Sequence, residues 1–185
     1  DLPMPERMPE RNLVYFPGST IGNFPEDEAA QLMRVMHLEA KPGGALLIGV
    51  DLRKDRDILE QAYDDEAGVT AEFNINLLRR INRELDADFD LSSFHHSAKW
   101  NDEESRIEMR LVSDTDQVVS VAGSEIPFDK GESILTEYSH KYDVNAFEQL
   151  ASSAGFDVHS VWMDQEELFS IQLLERRDET AGVGS

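Results

Sequence analysis

Two apolar runs bracket one helical period near the start of the chain, and this arrangement limits the fold more than any other feature. "NLVYF" (12–16) reads as a short buried strand ended by Pro17-Gly18. Pro25 suits a first helical position, and Glu26, Asp27 and Glu28 complement the positive end of a helix dipole. Ala29, Leu32, Met33 and Met36 then recur at i, i+3, i+4 and i+7, one apolar helix face. "KPGG" (41–44) stops that helix, and "ALLIGVD" (45–51) is a second apolar strand. Strand, helix and strand within about forty residues make a βαβ unit, whose two strands run parallel.

Downstream, a long helical stretch is expected. Ile58, Leu59, Ala62 and Tyr63 share one face, and Phe73, Leu77, Ile81 and Leu85 follow at spacing four. The period changes near residue 94. "RIEMRLV" (106–112) alternates Ile107, Met109 and Leu111 with charged residues, a half-buried strand, and "QVVSV" (117–121) follows a hairpin turn at "SDTD". The end returns to α/β. Asp143 caps a helix over 145–154 with Phe147 and Leu150 inward and Gly155 as its stop, and "FDVHSVWM" and "LFSIQLLE" are two strands joined by "DQEE". The expected division is a sheet core from 1–54 and 131–175, an insertion over 55–130, and a flexible tail over 176–185. The opening "DLPMPERMPERN" is read as carrying no element of its own.

The 38 acidic and 17 basic residues give a net charge of −21, which repels phosphate backbones and anionic lipid. Nucleic acid and membrane are therefore not expected as partners. No apolar run approaches the roughly 18–20 residues that span a bilayer, and no cysteine is present. A cytoplasmic location agrees with both observations. No "GxGxxG" or "GxxxxGK[ST]" fingerprint occurs. His95, His96 and His140 lack metal-ligand spacing, adjacent strand residues point to opposite faces, and no metal is expected. Ser19, Ser97 and Ser139 lack a "GxSxG" context, so hydrolase chemistry is disfavoured.

The turn "FPGSTIGNF" (16–24) packs two glycines, a proline and an asparagine between the first strand and its helix. In open parallel sheets, ligands bind beyond the carboxyl ends of the strands, where this turn falls. Gly18 and Gly22 permit close backbone approach, and Asn23 offers donors and an acceptor to a carboxylate or amide. An ordinary βα turn has similar composition, and spacing alone leaves both readings open.

Long blocks of the chain carry a family resemblance: "YFPGSTIGNF", "LLIGVDLRKD", "AYDDEAGVTAEFNINLLRRINREL", "RIEMRL" and "GESILTEYSHKY". From about residue 12 to about 174 the chain resembles the histidine-specific S-adenosylmethionine-dependent methyltransferases, which make trimethylhistidine (hercynine) in ergothioneine biosynthesis. The resemblance implies an α/β fold, the C-terminal part of a Rossmann-like class I methyltransferase sheet with an inserted α+β substrate-binding subdomain. S-adenosylmethionine is implied as methyl donor and L-histidine as substrate. The first strands, the glycine-rich donor loop and the ribose-binding acid of that family have no counterpart here. Either the chain is a piece of a longer protein or a partner supplies the rest.

By the same resemblance, Asn23 and the hydroxyl of Tyr63 hold the substrate α-carboxylate. Phe16 and Gly18 lie towards the donor and the substrate amine. Glu137 accepts from an imidazole N–H, Ser139 contacts the other ring nitrogen, and Met109 packs on the ring. Glu137 and Ser139 are two apart, so on a strand they share a face, which without the resemblance reads as a solvated face. No catalytic base is nominated. Two alternatives stand beside this reading. One is a catalytically incompetent fragment or paralogue that binds an amino acid or a protein, with an exposed sheet edge inviting self-association. The other is methylation of a tryptophan derivative, whose indole offers no second ring nitrogen to a serine.

Overall fold

The computed structural model describes residues 11–178. In chain order the first elements are β1 (Leu13–Phe16), α1 (Glu26–Ala40), β2 (Ala45–Asp51), α2 (Arg56–Tyr63) and α3 (Val69–Leu85). Then come β3 (Phe94–Asn101), β4 (Arg106–Ser113), β5 (Gln117–Val121), β6 (Ser124–Phe128) and β7 (Ser133–His140). The chain closes with α4 (Val144–Ser153), β8 (Phe156–Met163) and β9 (Phe169–Arg176). These form two compact units: the described residues up to Arg53 together with those from His140 onward, and Lys54–Ser139. The boundary falls after Ser139 and not at 130, because β7 joins the sheet of β3 and β4.

The first unit holds a four-stranded mixed sheet in the order β1-β2-β9-β8. β1 and β2 pair in parallel, from Leu13 opposite Ala45 to Phe16 opposite Ile48, which is the βαβ pairing expected from the apolar runs. Pro25 stands just outside α1, with extended ψ of 157°, so the helix begins at Glu26. Gly44 closes the helix-to-strand turn where nothing larger fits, because a Cβ there would lie 1.9 Å from the Ala40 carbonyl oxygen. One sheet face is covered by α1 and α4, and Ile21, Met33, Leu46, Ile48, Phe147 and Leu174 form its dry core. On the opposite face Leu13, Tyr15, Trp162 and Ile171 stay exposed. Asp143 caps α4 by accepting from the Ala146 N–H at 2.7 Å, and Gly155 follows the helix at φ 91°.

The second unit is a three-stranded sheet, β3-β4-β7, with a separate β5-β6 hairpin. β4 alternates as the sequence predicts, with Ile107, Met109 and Leu111 buried. The "SDTD" turn does not join β4 and β5 as a hairpin. β5 pairs with β6 through Ala122-Gly123, both at positive φ. The expected continuous helical stretch breaks into α2 and α3, because Asp65 caps the second helix, accepting from Val69 N at 3.0 Å and Thr70 N at 2.8 Å. The face predicted for α3 is also turned. Phe73, Leu77 and Leu85 are 69%, 38% and 50% exposed, whereas Asn74 and Leu78 are buried. On α2, Leu59 is buried but Ile58 and Ala62 are exposed. The tail expected over 176–185 begins with the last residue of β9, and from 179 it lies outside the described residues, as does most of the opening segment.

Candidate functional site

In the first unit the site is the turn after β1. Gly18 at φ 74° and Ser19 at φ 55° are successive left-handed residues, which reverse the chain before a 3-10 turn over Thr20–Asn23. Ser19 Oγ accepts from the Asp51 N–H at 2.8 Å, tying the turn to the carboxyl end of β2. Asp51 in turn meets Lys141, whose side chain is entirely buried, at 2.5 Å. On the other side, the Gly22 carbonyl can only accept, so His140 donates to it from Nδ1 at 2.9 Å. Gly22 itself has no room: a Cβ would lie 2.7 Å from the His140 carbonyl oxygen. Gly18 faces the other way, with nothing within 4 Å of a built Cβ. The Asn23 amide is exposed and has no hydrogen-bond partner among the described residues, and Phe16 packs against the core. The turn is thus braced behind and open at Gly18 and Asn23.

In the second unit Tyr63 meets Ser139 and packs against the cluster that buries Met109, whereas Glu137, two positions before Ser139 on β7, lines a cavity that the other three do not line. The Tyr63 hydroxyl lies 2.8 Å from Ser139 Oγ, joining the last residue of α2 to β7. Met109 is buried beside Leu59, Ala98 and Ile107, with Tyr63 and Trp100 packed against that cluster. Thr136 donates to the Met109 carbonyl at 3.0 Å, which registers β7 on β4. Glu137 lines a cavity of about 270 Å³ with Phe73, Asn74, Leu77 and Thr136. Its carboxylate is half-buried, accepts no hydrogen bond among the described residues, and has its pKa raised by desolvation. A carboxylate held this way is a ready acceptor for an N–H donor brought by a ligand.

Sequence reasoning missed four participants: Asp51, Lys141, Asn74 and His96. The first two announce themselves only through burial of a lysine, which no local pattern marks. Asn74 falls mid-helix where an apolar residue is the usual choice, and that interruption was the available signal. His95 and His96 do face opposite ways, His95 to Asp114 at 2.7 Å and His96 inward to Asn74.

These features define an α/β protein of two units, with a braced glycine-bearing turn in the first and a cavity of about 270 Å³ lined by Glu137 in the second. A profile of histidine-specific, S-adenosylmethionine-dependent methyltransferases matches residues 2–176, and the chain belongs to that family. It is 47% identical over 169 residues to the histidine N-alpha-methyltransferase of Mycolicibacterium smegmatis, covering 90% of this chain and 52% of that protein. Identity to the histidine N-alpha-methyltransferase of Mycobacterium tuberculosis is 44% over 165 residues, covering 88% and 51%. The L-tryptophan methyltransferase trpM of Psilocybe serbica is 30% identical over 158 residues, covering 83% and 44%. The chain spans about half the length of the two histidine methyltransferases it matches. For the methyl donor, this chain's residues fit one side only: the open backbone at Gly18 admits close approach, but no phosphate- or ribose-type fingerprint accompanies it.

Proposed function

We propose that this chain is the substrate-recognising part of an enzyme that methylates the α-amino group of L-histidine to trimethylhistidine (hercynine). The family's donor, S-adenosylmethionine, supplies an electrophilic methyl group on sulfur. The amine lone pair forms the new N–C bond as the S–C bond breaks, and the first two transfers each release a proton from nitrogen. The third leaves a permanent cation. What the protein contributes is alignment, with an amine kept unprotonated.

Each residue has a role in this reading. Glu137 accepts from one imidazole N–H, and Ser139 contacts the second ring nitrogen. In the second unit Tyr63 donates to the carboxylate; in the first, the Asn23 amide is a donor for a carboxylate and the backbone carbonyls near Phe16–Gly18 are acceptors for an amine. Met109 lends its thioether to the face of the ring. The observation that carries the reading is the Glu137 carboxylate, half-buried and unpartnered among the described residues, two positions before Ser139 on β7. An indole has one N–H donor and no ring acceptor, so histidine uses this pair more fully than tryptophan does.

The test is calorimetric titration of the chain with S-adenosylhomocysteine, L-histidine and L-tryptophan, singly and in pairs, for wild type and Glu137→Gln. L-Histidine is expected to bind in preference to L-tryptophan. The substitution should weaken L-histidine binding about 5–150-fold, the equivalent of the ~1–3 kcal/mol that a lost partner at a buried polar site costs. Equal affinity in wild type and variant would remove Glu137 from the site.

A further inference from the structure

A polar thread runs through the layer between helices and sheet in the second unit. Asn74 on α3 is 4% exposed and His96 on β3 is 9% exposed. The Asn74 amide nitrogen lies 3.2 Å from the Arg110 carbonyl oxygen and 2.9 Å from His96 Nδ1. A backbone carbonyl can only accept, so the group facing Arg110 is the amide NH2. That nitrogen has no lone pair to offer, so toward His96 it also donates, and Nδ1 is the acceptor. The ring proton therefore sits on Nε2, 2.8 Å from the carbonyl oxygen of Tyr63.

Tyr63 is the last residue of α2, where helix carbonyls lack partners within the helix. His96 thus closes the carboxyl end of α2 from the neighbouring sheet. The same residue carries the hydroxyl that meets Ser139 at 2.8 Å. We propose that Asn74 and His96 are a positioning pair: Asn74 holds His96 as the neutral Nε2–H tautomer, and that proton sets Tyr63 against Ser139. The proposal rests on the reading of Tyr63 and Ser139 as amino-acid-binding residues only for its consequence in binding. The tautomer and the position of Tyr63 stand on the geometry alone.

The experiment compares His96→Gln, His96→Asn and His96→Leu in the full chain. A glutamine amide reaches as far as Nε2 and can donate to the Tyr63 carbonyl, whereas asparagine reaches only as far as Nδ1. Nitrogen-15 spectra of the wild-type ring should show a protonated Nε2 and a bare Nδ1. In protein labelled at tyrosine, the Tyr63 ζ-carbon resonance should stay near its wild-type position in the glutamine variant and move in the other two. If leucine prevents folding, glutamine against asparagine decides alone. L-Histidine affinity should follow the same order, within about threefold for glutamine and at least tenfold weaker for asparagine. A protonated Nδ1, or a Tyr63 signal indifferent to all three substitutions, would overturn the proposal. Failure of wild type to bind L-histidine would count against the proposed function and leave the two spectroscopic readouts to decide this one.

Discussion

Glu137 shows at the residue scale how a binding site costs stability. Burial disfavours its ionised form and no described group compensates, so its pKa is raised from the ordinary carboxylate value. The folded state therefore holds the Glu137 proton more tightly than the unfolded chain does. Stability referable to this group is greatest below the unfolded carboxylate pKa, and it falls as pH rises towards and through the raised folded value. Above that range the free protein carries an unfavourable carboxylate that an imidazolium or an N–H donor would relieve. Glu137→Gln removes the charge and keeps the shape. Its melting temperature should exceed that of wild type at pH 7, and the gap should close in acid, as thermal unfolding followed by circular dichroism at both pH values would show. A variant less stable than wild type at pH 7 would mean that the carboxylate is satisfied in the folded state. Raised stability with weakened L-histidine binding is the pattern of a residue kept for function.

At the scale of elements, the break between α2 and α3 combines Gly68 in the left-handed region at φ 71° with one capping side chain, Asp65. Asp65 accepts from two N–H groups in the first turn of α3, and these bonds hold its pKa at about 2. A depressed carboxyl pKa contributes stability above the unfolded value, and loses it as pH falls towards the folded one. Helix content and melting temperature should thus fall between about pH 4 and pH 2 in part through Asp65. Asp65→Asn should flatten that portion of the profile, and an unchanged acid profile would show that the cap contributes nothing to it. The same region shows what the sequence could and could not reveal. β2, β4 and α4 were legible because each has a strong apolar pattern or a clear cap, with apolar residues doing the burying. α3 was misread because its buried face includes Asn74, whose partners His96 and Arg110 are brought by strands 22 and 36 residues away. A hydrophobic period scores such an asparagine as outward and turns the face towards Phe73 and Leu77. β6 was missed for a different reason: Ile126 and Phe128 do alternate with Glu125 and Pro127, but a proline inside so short a run argues against a strand. In the candidate site, Glu137 and Ser139 could be placed on one strand face from their spacing, but the hydrogen bond between the Ser139 and Tyr63 hydroxyls spans 76 residues and has no local signature.

For the whole molecule, surface and charge pull in opposite directions. β1 is an edge strand of its sheet, and Leu13, Tyr15, Trp162 and Ile171 leave one face of that sheet exposed and apolar. Among the described residues β1 has a strand neighbour on one side alone, and an edge of that kind beside an apolar face favours pairing with a second copy. Two copies at −21 each repel, and that repulsion is screened over about 10 Å at 0.1 M salt but only over about 30 Å at 0.01 M. We propose self-association that is suppressed at low ionic strength and released by salt. Sedimentation velocity should show a monomer at about 0.01 M salt and a concentration-dependent dimer at about 0.5 M, where screening shortens to a few ångströms. With no cysteine in the chain, that dimer must be noncovalent and reversible on dilution. Leu13→Lys adds a charge to the exposed edge without touching the buried face, and it should restore the monomer at high salt. A monomer under every condition would mean that the exposed face is not self-complementary, whereas a dimer insensitive to Leu13→Lys would place the contact away from β1.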